Sequence, residues 1–352
     1  MMPLDMFATF PLALNIGLFG LVAAAVWLAG TRLAAFADEI SDRRRIGKAV
    51  MGLIFLATAT SLPEIVTATT AALAGNAQLL LANIFGSVTM QTAILAVADA
   101  LAVGAAITFY PRKPTPILEG ALLILLLALL QAIILFGERA LVFHVGFGAC
   151  LVAIVYLVAI GLLRRFDEQD AWLAVEFPEE SGDPPVYPWH VALAKIAMPG
   201  LVVRFAIASL VILICGVLLV ALSEQIAVQS GLGRSFIGVT ILAASTSLPE
   251  LSTTIMAVRL RSYTMAISNI FGSNLIMIIL LLPADLLYTE GLVLAQADPI
   301  ASFAIITGIL VTVIYVVGLI IRSSRTLFGI GLDSLLVLAV YIASLVVAFE
   351  LR

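Results

Sequence analysis

The same five-residue motif occurs twice inside long apolar stretches of the sequence, at 60–64 and at 246–250. Each copy reads Thr-Ser-Leu-Pro-Glu. On a helix its Thr, Ser and Glu can face one side, because residues three and four positions apart are neighbours. The proline kinks the helix, since Pro63 cannot donate a hydrogen bond to the carbonyl of Ala59. Each motif therefore offers a carboxylate, hydroxyls and free carbonyls, the all-oxygen set that hard cations take.

Glu64 and Glu250 favour a functional role for these motifs. Ser and Thr in membrane helices often only bond the backbone one turn back, and Pro can be a simple kink. Those residues alone therefore favour neither a structural nor a functional role. A carboxylate at the bilayer centre costs about 2.5–3.5 kcal/mol. No Lys or Arg lies at comparable depth in the sequence. We therefore expect a cation, or protons, between the two carboxylates.

The composition predicts that the motifs lie in a membrane. The chain has 352 residues, of which 62% are hydrophobic and 11% charged, and its mean hydropathy is +1.18. A soluble domain of this length has too little interior for so much apolar surface, which predicts an all-α polytopic membrane protein. The sequence contains no nucleophile–base pair, no phosphate loop and no basic helix. It therefore predicts neither an enzyme nor a nucleic-acid-binding protein, and no cofactor.

Apolar runs of about 20 residues, the length that crosses a hydrocarbon core, predict ten transmembrane helices. They are placed at about 11–36, 47–73, 77–103, 115–136, 141–163, 199–227, 235–258, 263–288, 299–321 and 330–350. The second, third, seventh and eighth carry the polar motifs, and we expect these four to be interrupted.

The Lys and Arg residues between the predicted helices indicate the orientation. Fifteen of the 18 fall on one side of the membrane, whereas Arg139, Arg234 and Arg352 fall on the other. Cytoplasmic loops are enriched in Lys and Arg, so the first side is predicted to be cytoplasmic. We thus expect a multi-pass protein of the cell membrane (inner or plasma membrane), with both termini outside and the acidic segment 166–196 as a cytoplasmic loop.

An internal duplication relates the two halves of the chain. At the offset of the two motifs, 83–87 aligns with 269–273, both Asn-Ile-Phe-Gly-Ser, and Asp99 aligns with Asp285. Each half holds five predicted helices, an odd number, so the second half enters the membrane in the opposite orientation. This predicts two inverted five-helix repeats with a site at the midplane, as in secondary transporters. The predicted repeats are 1–165, with motif region 52–91, and 197–352, with motif region 238–277.

The helix after each motif is predicted to form the other wall of the site. Asn83, Ser87 and Gln91 are spaced four apart and face one side of the third helix. Their counterparts in the second repeat are Asn269, Ser273 and Met277. A thioether is too soft to bind Na⁺ or Ca²⁺. The second repeat therefore lacks one oxygen ligand, which leaves the coupling ion open.

The paired motifs resemble the alpha-repeats of the cation/Ca²⁺ exchanger superfamily, and most closely its sodium/calcium exchanger-like branch. That family carries Gly-Thr-Ser-x-Pro-Glu followed by Gly-Asn-x-x-Gly-Ser-Asn. The corresponding stretches here are 59–64 with 82–88 and 245–250 with 268–274, where Ala or Ser replaces the first Gly of each pattern. The resemblance covers nearly the whole chain, and ten spans, outward termini and a central cytoplasmic loop are consistent with it.

The resemblance also implies a mechanism. Ca²⁺ would lie between Glu64 and Glu250, with carbonyls contributed by Thr60 and Thr246. The residues implied for Na⁺ are the same glutamates with Ser61, Ser247, Ser87, Ser273 and the carbonyls of Ala57 and Ala243, while Gln91 stands where the family usually has Asn or Asp. Both ions would compete for one set of oxygens, and the two long helices, the first and the sixth, would slide across the core to expose the site alternately.

Three functions remain open from the sequence. The paired motifs favour antiport of Ca²⁺ against Na⁺. The thioether of Met277 favours antiport of Ca²⁺ or another cation against H⁺, because two close carboxylates can hold a proton. The acidic segment 166–196 favours a channel or a sensor without counter-ion coupling. The predicted partners are inorganic cations and the lipid bilayer, with no nucleic acid, and the oligomeric state is not predicted.

Overall fold

A computed structural model describes residues 7–101, 105–142, 145–167, 192–193, 195–230 and 243–350. The helices of the first half are α1 Leu12–Arg44, α2 Lys48–Val50, α3 Ala57–Thr60, α4 Leu62–Leu73, α5 Ala77–Asp99, α6 Thr115–Phe136 and α7 Phe147–Asp167. Those of the second half are α8 Met198–Gln229, α9 Ala243–Thr246, α10 Leu248–Arg259, α11 Tyr263–Ile279, α12 Leu281–Leu287, α13 Pro299–Ile321 and α14 Leu332–Glu350.

Short elements of other types join these helices. A π-helical turn, Met51–Leu56, connects α2 to α3, and 3₁₀ turns lie at Ile107–Phe109 and Leu294–Gln296. An antiparallel hairpin precedes the last helix of each half. In the first, β1 Ala140–Val142 pairs with β2 Val145–Gly146, and in the second, β3 Thr326–Leu327 pairs with β4 Ile330–Gly331.

The long apolar helices confirm a polytopic helical membrane protein. Seven described helices or helix pairs are long and apolar enough to cross a bilayer, and the bent unit α2–α4 raises this to as many as eight. The seven are α1, α5, α6, α7, α8, α11 with α12, and α13. The apolar part of α14, Leu332–Ala348, is shorter. The seventh predicted span begins outside the described residues. Most of the acidic segment 166–196 also lies outside them.

The first Pro motif breaks its helix where the sequence predicts a kink. The axis bends by 52° between Lys48–Thr60 and Leu62–Leu73. Ser61 forms the break, with φ −81° and ψ 4°, and Pro63 lies at the start of α4. The second motif repeats this arrangement, because Ser247 has φ −90° and ψ 4° and Pro249 lies at the start of α10. The same local sequence thus produces the same break in both halves.

The prediction that the third span is interrupted is wrong. Helix α5 runs from Ala77 to Asp99 without a break. Its polar residues Asn83, Ser87 and Gln91 keep their backbone bonds, because an amide or a hydroxyl does not remove a main-chain donor as proline does. The eighth span is continuous through its motif, and α11 ends and α12 begins on either side of Leu280, ten or more residues later than Asn269.

Helix α5 and the stretch of α11 with α12 form the centre of the molecule, because most residues of their apolar segments are buried. Helix α11 lies against the π-helical turn, where a Cβ on Gly272 would be 2.7 Å from the Cα of Leu53 and 2.8 Å from the Cβ of Ala57. A small residue at this position lets the two backbones approach closely. The long helices α1 and α8 pack along each other outside this centre, with α1 also against α10 and α8 also against α4.

Asp99 and Asp285 join the two halves through matching hydrogen bonds. Asp99 accepts from the backbone N–H of Ile107 (2.5 Å) in its own half and of Gly331 (2.6 Å) in the second hairpin. Asp285 accepts from Val293 (2.8 Å) in its own half and from Gly146 (2.6 Å) in the first hairpin. Both carboxylates are buried, at 1% and 2% exposure. Each aspartate therefore ties its own loop to the hairpin of the other half.

We expect Asp99→Ala to lower the melting temperature of the protein in detergent. The substitution leaves the N–H groups of Ile107 and Gly331 without this acceptor, at a cost of about 1–3 kcal/mol for each group. Asp42→Ala is the matched control, because Asp42 is 64% exposed and forms a surface ion pair with Lys48 that is worth at most about 1 kcal/mol. Equal melting temperatures for the two variants would contradict the structural role of Asp99.

Candidate cation site

Two fully buried carboxylates lie at the two helix breaks. Glu64 is in the first turn of α4 and Glu250 is in the first turn of α10, and both side chains are 0% exposed. The N-terminal end of a helix carries partial positive charge, which favours a carboxylate there. The proline places the start of each helix at the motif, because proline is tolerated only in the first turn. The motif sequence therefore positions its own carboxylate.

Hydroxyl groups from both halves surround Glu250. Its Oε1 accepts hydrogen bonds from the Ser61 hydroxyl (3.4 Å) and from the Ser273 hydroxyl (3.5 Å). Thr60 Oγ1 lies 3.4 Å from Ser273 Oγ. The first-half motif thus meets the second-half motif and the following helix α11 in one buried cluster. We call Thr60, Ser61, Glu250 and Ser273 the central cluster.

The other predicted ligands differ in their surroundings. The carbonyl of Ala57 accepts from Thr60 Oγ1 (3.2 Å) and from the N–H of Ser61 (3.0 Å). Thr246 and Ser247 are buried at the second break, and Ala243 begins α9. Ser87 donates to the carbonyl of Asn83 (2.6 Å) in its own helix. The Ser87 hydroxyl is therefore directed at its own backbone.

Several buried polar atoms of these residues form no hydrogen bond with any described residue. They are both carboxylate oxygens of Glu64, Oε2 of Glu250, the Ser247 hydroxyl and both polar atoms of the Gln91 amide. A buried polar atom without a partner costs about 1–3 kcal/mol, and a charged one costs more. The described part of the chain therefore leaves strong oxygen ligands in the interior that protein donors do not satisfy.

Within the described residues, no basic side chain neutralises Glu64 or Glu250. Ion pairs at the end of α1 and the start of α2 join Glu39 to Arg43, and Asp38 and Asp42 to Lys48. The described part of the chain contains no group of three or more His, Cys, Asp or Glu side chains that could hold a metal ion. Two carboxylates with hydroxyls and carbonyls are instead a hard-oxygen set.

The interior holds a further buried carboxylate, on α6, that the sequence motifs did not predict. Glu119 on α6 is 0% exposed, and its Oε1 accepts from the Ser268 hydroxyl (2.8 Å). The internal repeat does not reveal this pair, because the positions equivalent to Glu119 and Ser268 in the other half are Ile305 and Ala82. A lone carboxylate in an otherwise apolar span was the signal that could have found Glu119.

A polytopic helical fold with paired carboxylates in its interior places the protein among membrane proteins that handle cations. The family model described as sodium/calcium exchanger protein matches residues 14–162 and 200–350, so the chain belongs to the sodium/calcium exchanger family. This confirms the resemblance of the paired motifs. Members of the family are transporters, and this supports membrane transport of inorganic cations over an enzymatic activity.

Individual relatives match over most of their length. The chain is 28% identical to CaxA of Alkalimonas amylolytica, whose name describes an antiporter, over 83% of this chain and 86% of that protein. It is 26% identical to the inner membrane protein YrbG of Escherichia coli over 72% of each. A solved structure of the sodium-calcium exchanger NCX_Mj covers 96% of this chain and 99% of its own, with a TM-score of 0.67 and 19% identity. That structure supports the fold.

Proposed function

We propose that this protein is a secondary active antiporter that exchanges Ca²⁺ for Na⁺ at a site between Glu64 and Glu250. The carrying observation is the pair of fully buried carboxylates from opposite halves, one of which accepts hydrogen bonds from Ser61 and Ser273. The family of the chain and the antiporter name of CaxA support the same class of function.

Electrostatics supports exchange over leakage. One Ca²⁺ balances the charge of two carboxylates, and Na⁺ ions can do the same, but the two kinds of ion compete for one set of oxygens. An ionised carboxylate without a cation at bilayer depth costs about 2.5–3.5 kcal/mol, so two empty carboxylates cost roughly twice that. The change of access from one membrane face to the other is therefore favoured when the site holds a cation, and this couples the two ion fluxes.

Ca²⁺ is proposed to take oxygens of both glutamates together with the carbonyls of Thr60 and Thr246. The Na⁺ ligands are proposed to be the glutamates with Ser61, Ser247, Ser87, Ser273, the carbonyls of Ala57 and Ala243, and Gln91. The unpartnered oxygens of Glu64, Ser247 and Gln91 support this assignment, because bound cations would satisfy them. The hydroxyl of Ser87 donates within its own helix, so its oxygen would act as an acceptor toward Na⁺.

The site is proposed to lie at the midplane of ten helices arranged as two inverted five-helix repeats. The reciprocal bonds of Asp99 and Asp285 support an arrangement in which each half contacts the other through equivalent positions. The long helices α1 and α8 would slide across the core and open the site alternately to the two sides. Both termini are proposed to lie outside the cell membrane, as the distribution of Lys and Arg predicts.

A counter-ion panel in proteoliposomes tests the exchange and its coupling ion. We expect Ca²⁺ uptake to be driven by an outward Na⁺ gradient, and not by a K⁺ or a pH gradient applied alone. Met277 is fully buried and offers no oxygen, so the pH arm tests the alternative of H⁺ coupling. Uptake that follows the pH gradient and ignores Na⁺ would replace Na⁺ by H⁺ in the proposal, and uptake at channel rates without any counter-ion would reject antiport.

A further inference from the structure

Glu119 is an interior carboxylate that the proposed cation site does not use. It lies one turn into α6, and its side chain is completely buried. Ser268 Oγ donates to its Oε1, whereas its Oε2 forms no hydrogen bond with any described residue. A carboxylate in a membrane helix is costly when ionised and is functional by default. Glu119 therefore needs either a cation or a proton.

A metal ion does not fit the surroundings of Glu119. The described residues form no ion pair with it and no cluster of three or more ligating side chains around it. One carboxylate and one hydroxyl are too few for Ca²⁺, which takes six to eight oxygens. A proton needs a single carboxylate oxygen, and Oε2 provides one.

The ionisable groups on the elements packed against α6 are few. Helix α6 packs against α7, α11, α13 and the 3₁₀ turn Leu294–Gln296, and that turn carries none. The others carry Cys150, Tyr156, Arg164, Arg165 and Asp167 on α7, Tyr263 on α11 and Tyr315 on α13. Of these groups, Asp167 contacts α6 directly, because its side chain accepts a hydrogen bond from Thr115.

Asp167 and Thr115 lie between Glu119 and the side of the membrane that the Lys and Arg distribution predicts to be cytoplasmic. Asp167 is 8% exposed at the end of α7, and its Oδ1 accepts from the Thr115 hydroxyl (3.0 Å). Lys113 donates to the backbone carbonyl of Asp167 (2.9 Å). Thr115 lies one helical turn before Glu119, on the same face of α6. These groups therefore place polar side chains one helical turn from Glu119 on an otherwise apolar helix.

Ser268 connects Glu119 to the helices of the central cluster. The next residue, Asn269, donates to Thr253 Oγ1 (3.2 Å), and Thr253 Oγ1 donates to the backbone carbonyl of Glu250 (3.1 Å). Ser268 also lies against the π-helical turn, since a Cβ on Gly52 would be 3.0 Å from the Cβ of Ser268. A change in the charge of Glu119 would therefore act on α11 where it contacts both motifs.

We propose that Glu119 is a proton-binding site, separate from the central cluster, that is loaded from the cytoplasmic end of α6 past Asp167 and Thr115. Protonation lets α6 pack against α11 through a neutral carboxyl group, and release of the proton places a charge at that contact. Its effect on Ca²⁺ transport rests on the proposed exchange function, whereas proton binding itself does not.

Infrared difference spectra of the full chain in lipid nanodiscs, recorded between acidic and alkaline pH, test the proposal directly. We expect the wild type to show the carbonyl stretch of a protonated carboxyl group that is lost in Glu119→Gln. Ser268→Ala is the matched control, because it removes the hydrogen bond but keeps the carboxyl group and its band. Glu64 and Glu250 are present in both proteins, so their bands cancel in the comparison.

Glu119→Asp provides a second test if Glu119→Gln does not fold, since it keeps a carboxyl group and is expected to shift the band instead of removing it. Spectra of Glu119→Gln or Glu119→Asp that match the wild type would overturn the proposal. Ca²⁺ uptake by folded Glu119→Gln is expected to lose part of its response to internal pH. If the wild type and the variants all fail to transport Ca²⁺ but the band is still lost in Glu119→Gln, the exchange function fails while the proton site stands.

Discussion

Glu64→Gln abolishes Na⁺-gradient-driven Ca²⁺ uptake in proteoliposomes if the two carboxylates form the site, and Glu250→Gln is expected to do the same. Each substitution keeps the side-chain shape but removes one of the two buried negative charges that face the cation. Removing one partner of a buried charge pair costs about 3–5 kcal/mol, which corresponds to a loss of affinity of at least about 100-fold. Direct binding of radioactive Ca²⁺ to the purified protein should fall together with the uptake.

Glu350→Gln is the matched control for these substitutions, because Glu350 is exposed at the end of α14. It makes the same chemical change outside the interior, and we expect wild-type uptake and binding. Size-exclusion profiles that coincide for all variants would separate a lost site from a lost fold. Wild-type uptake by either interior variant would show that Ca²⁺ crosses the protein at another place.

The helix breaks could be predicted because their cause is local. Pro63 and Pro249 lack the main-chain donor that a continuous helix needs, and each break lies two residues before its proline. The boundaries of the spans were less predictable. Helix α1 continues to Arg44, well beyond the predicted end at 36, because the polar residues after the apolar run can remain helical in water.

Other features depend on contacts that a sequence pattern does not contain. The hairpins have strands of two or three residues, which are too short for an alternating pattern, and their positions depend on Asp99 and Asp285. The π-helical turn Met51–Leu56 has no proline, and it lies where α11 approaches closely. The contacts of Ser61 and Ser273 with Glu250 cross between the halves, so the repeat alone predicts which residues are equivalent but not which of them touch.

The crossing of each long helix over the opposite motif is the remaining element of the mechanism. Gly216 on α8 lies against the ring of Pro63, where an added Cβ would be 2.7 Å from the Cβ of the proline. Its counterpart Gly30 on α1 lies against the second motif, where an added Cβ would be 3.1 Å from the Cβ of Ser252 and 3.4 Å from the carbonyl oxygen of Pro249. Helices that slide over the site would have to keep these two crossings free of side chains.

Gly216→Ala is expected to reduce Ca²⁺ uptake and to lower the melting temperature, because the proline ring is rigid and α8 must move away from the motif. Overpacking of this kind costs about 1–3 kcal/mol, or about 5- to 150-fold in the population of the packed state. Gly20→Ala on α1 is the control, since an added Cβ there has no described atom within 4 Å. Helix propensity alone predicts that both substitutions stabilise the protein by about 1 kcal/mol, so a gain at Gly20 with a loss at Gly216 isolates the steric contact. Equal gains at both positions would mean that the crossing of α8 over Pro63 does not constrain the transport cycle.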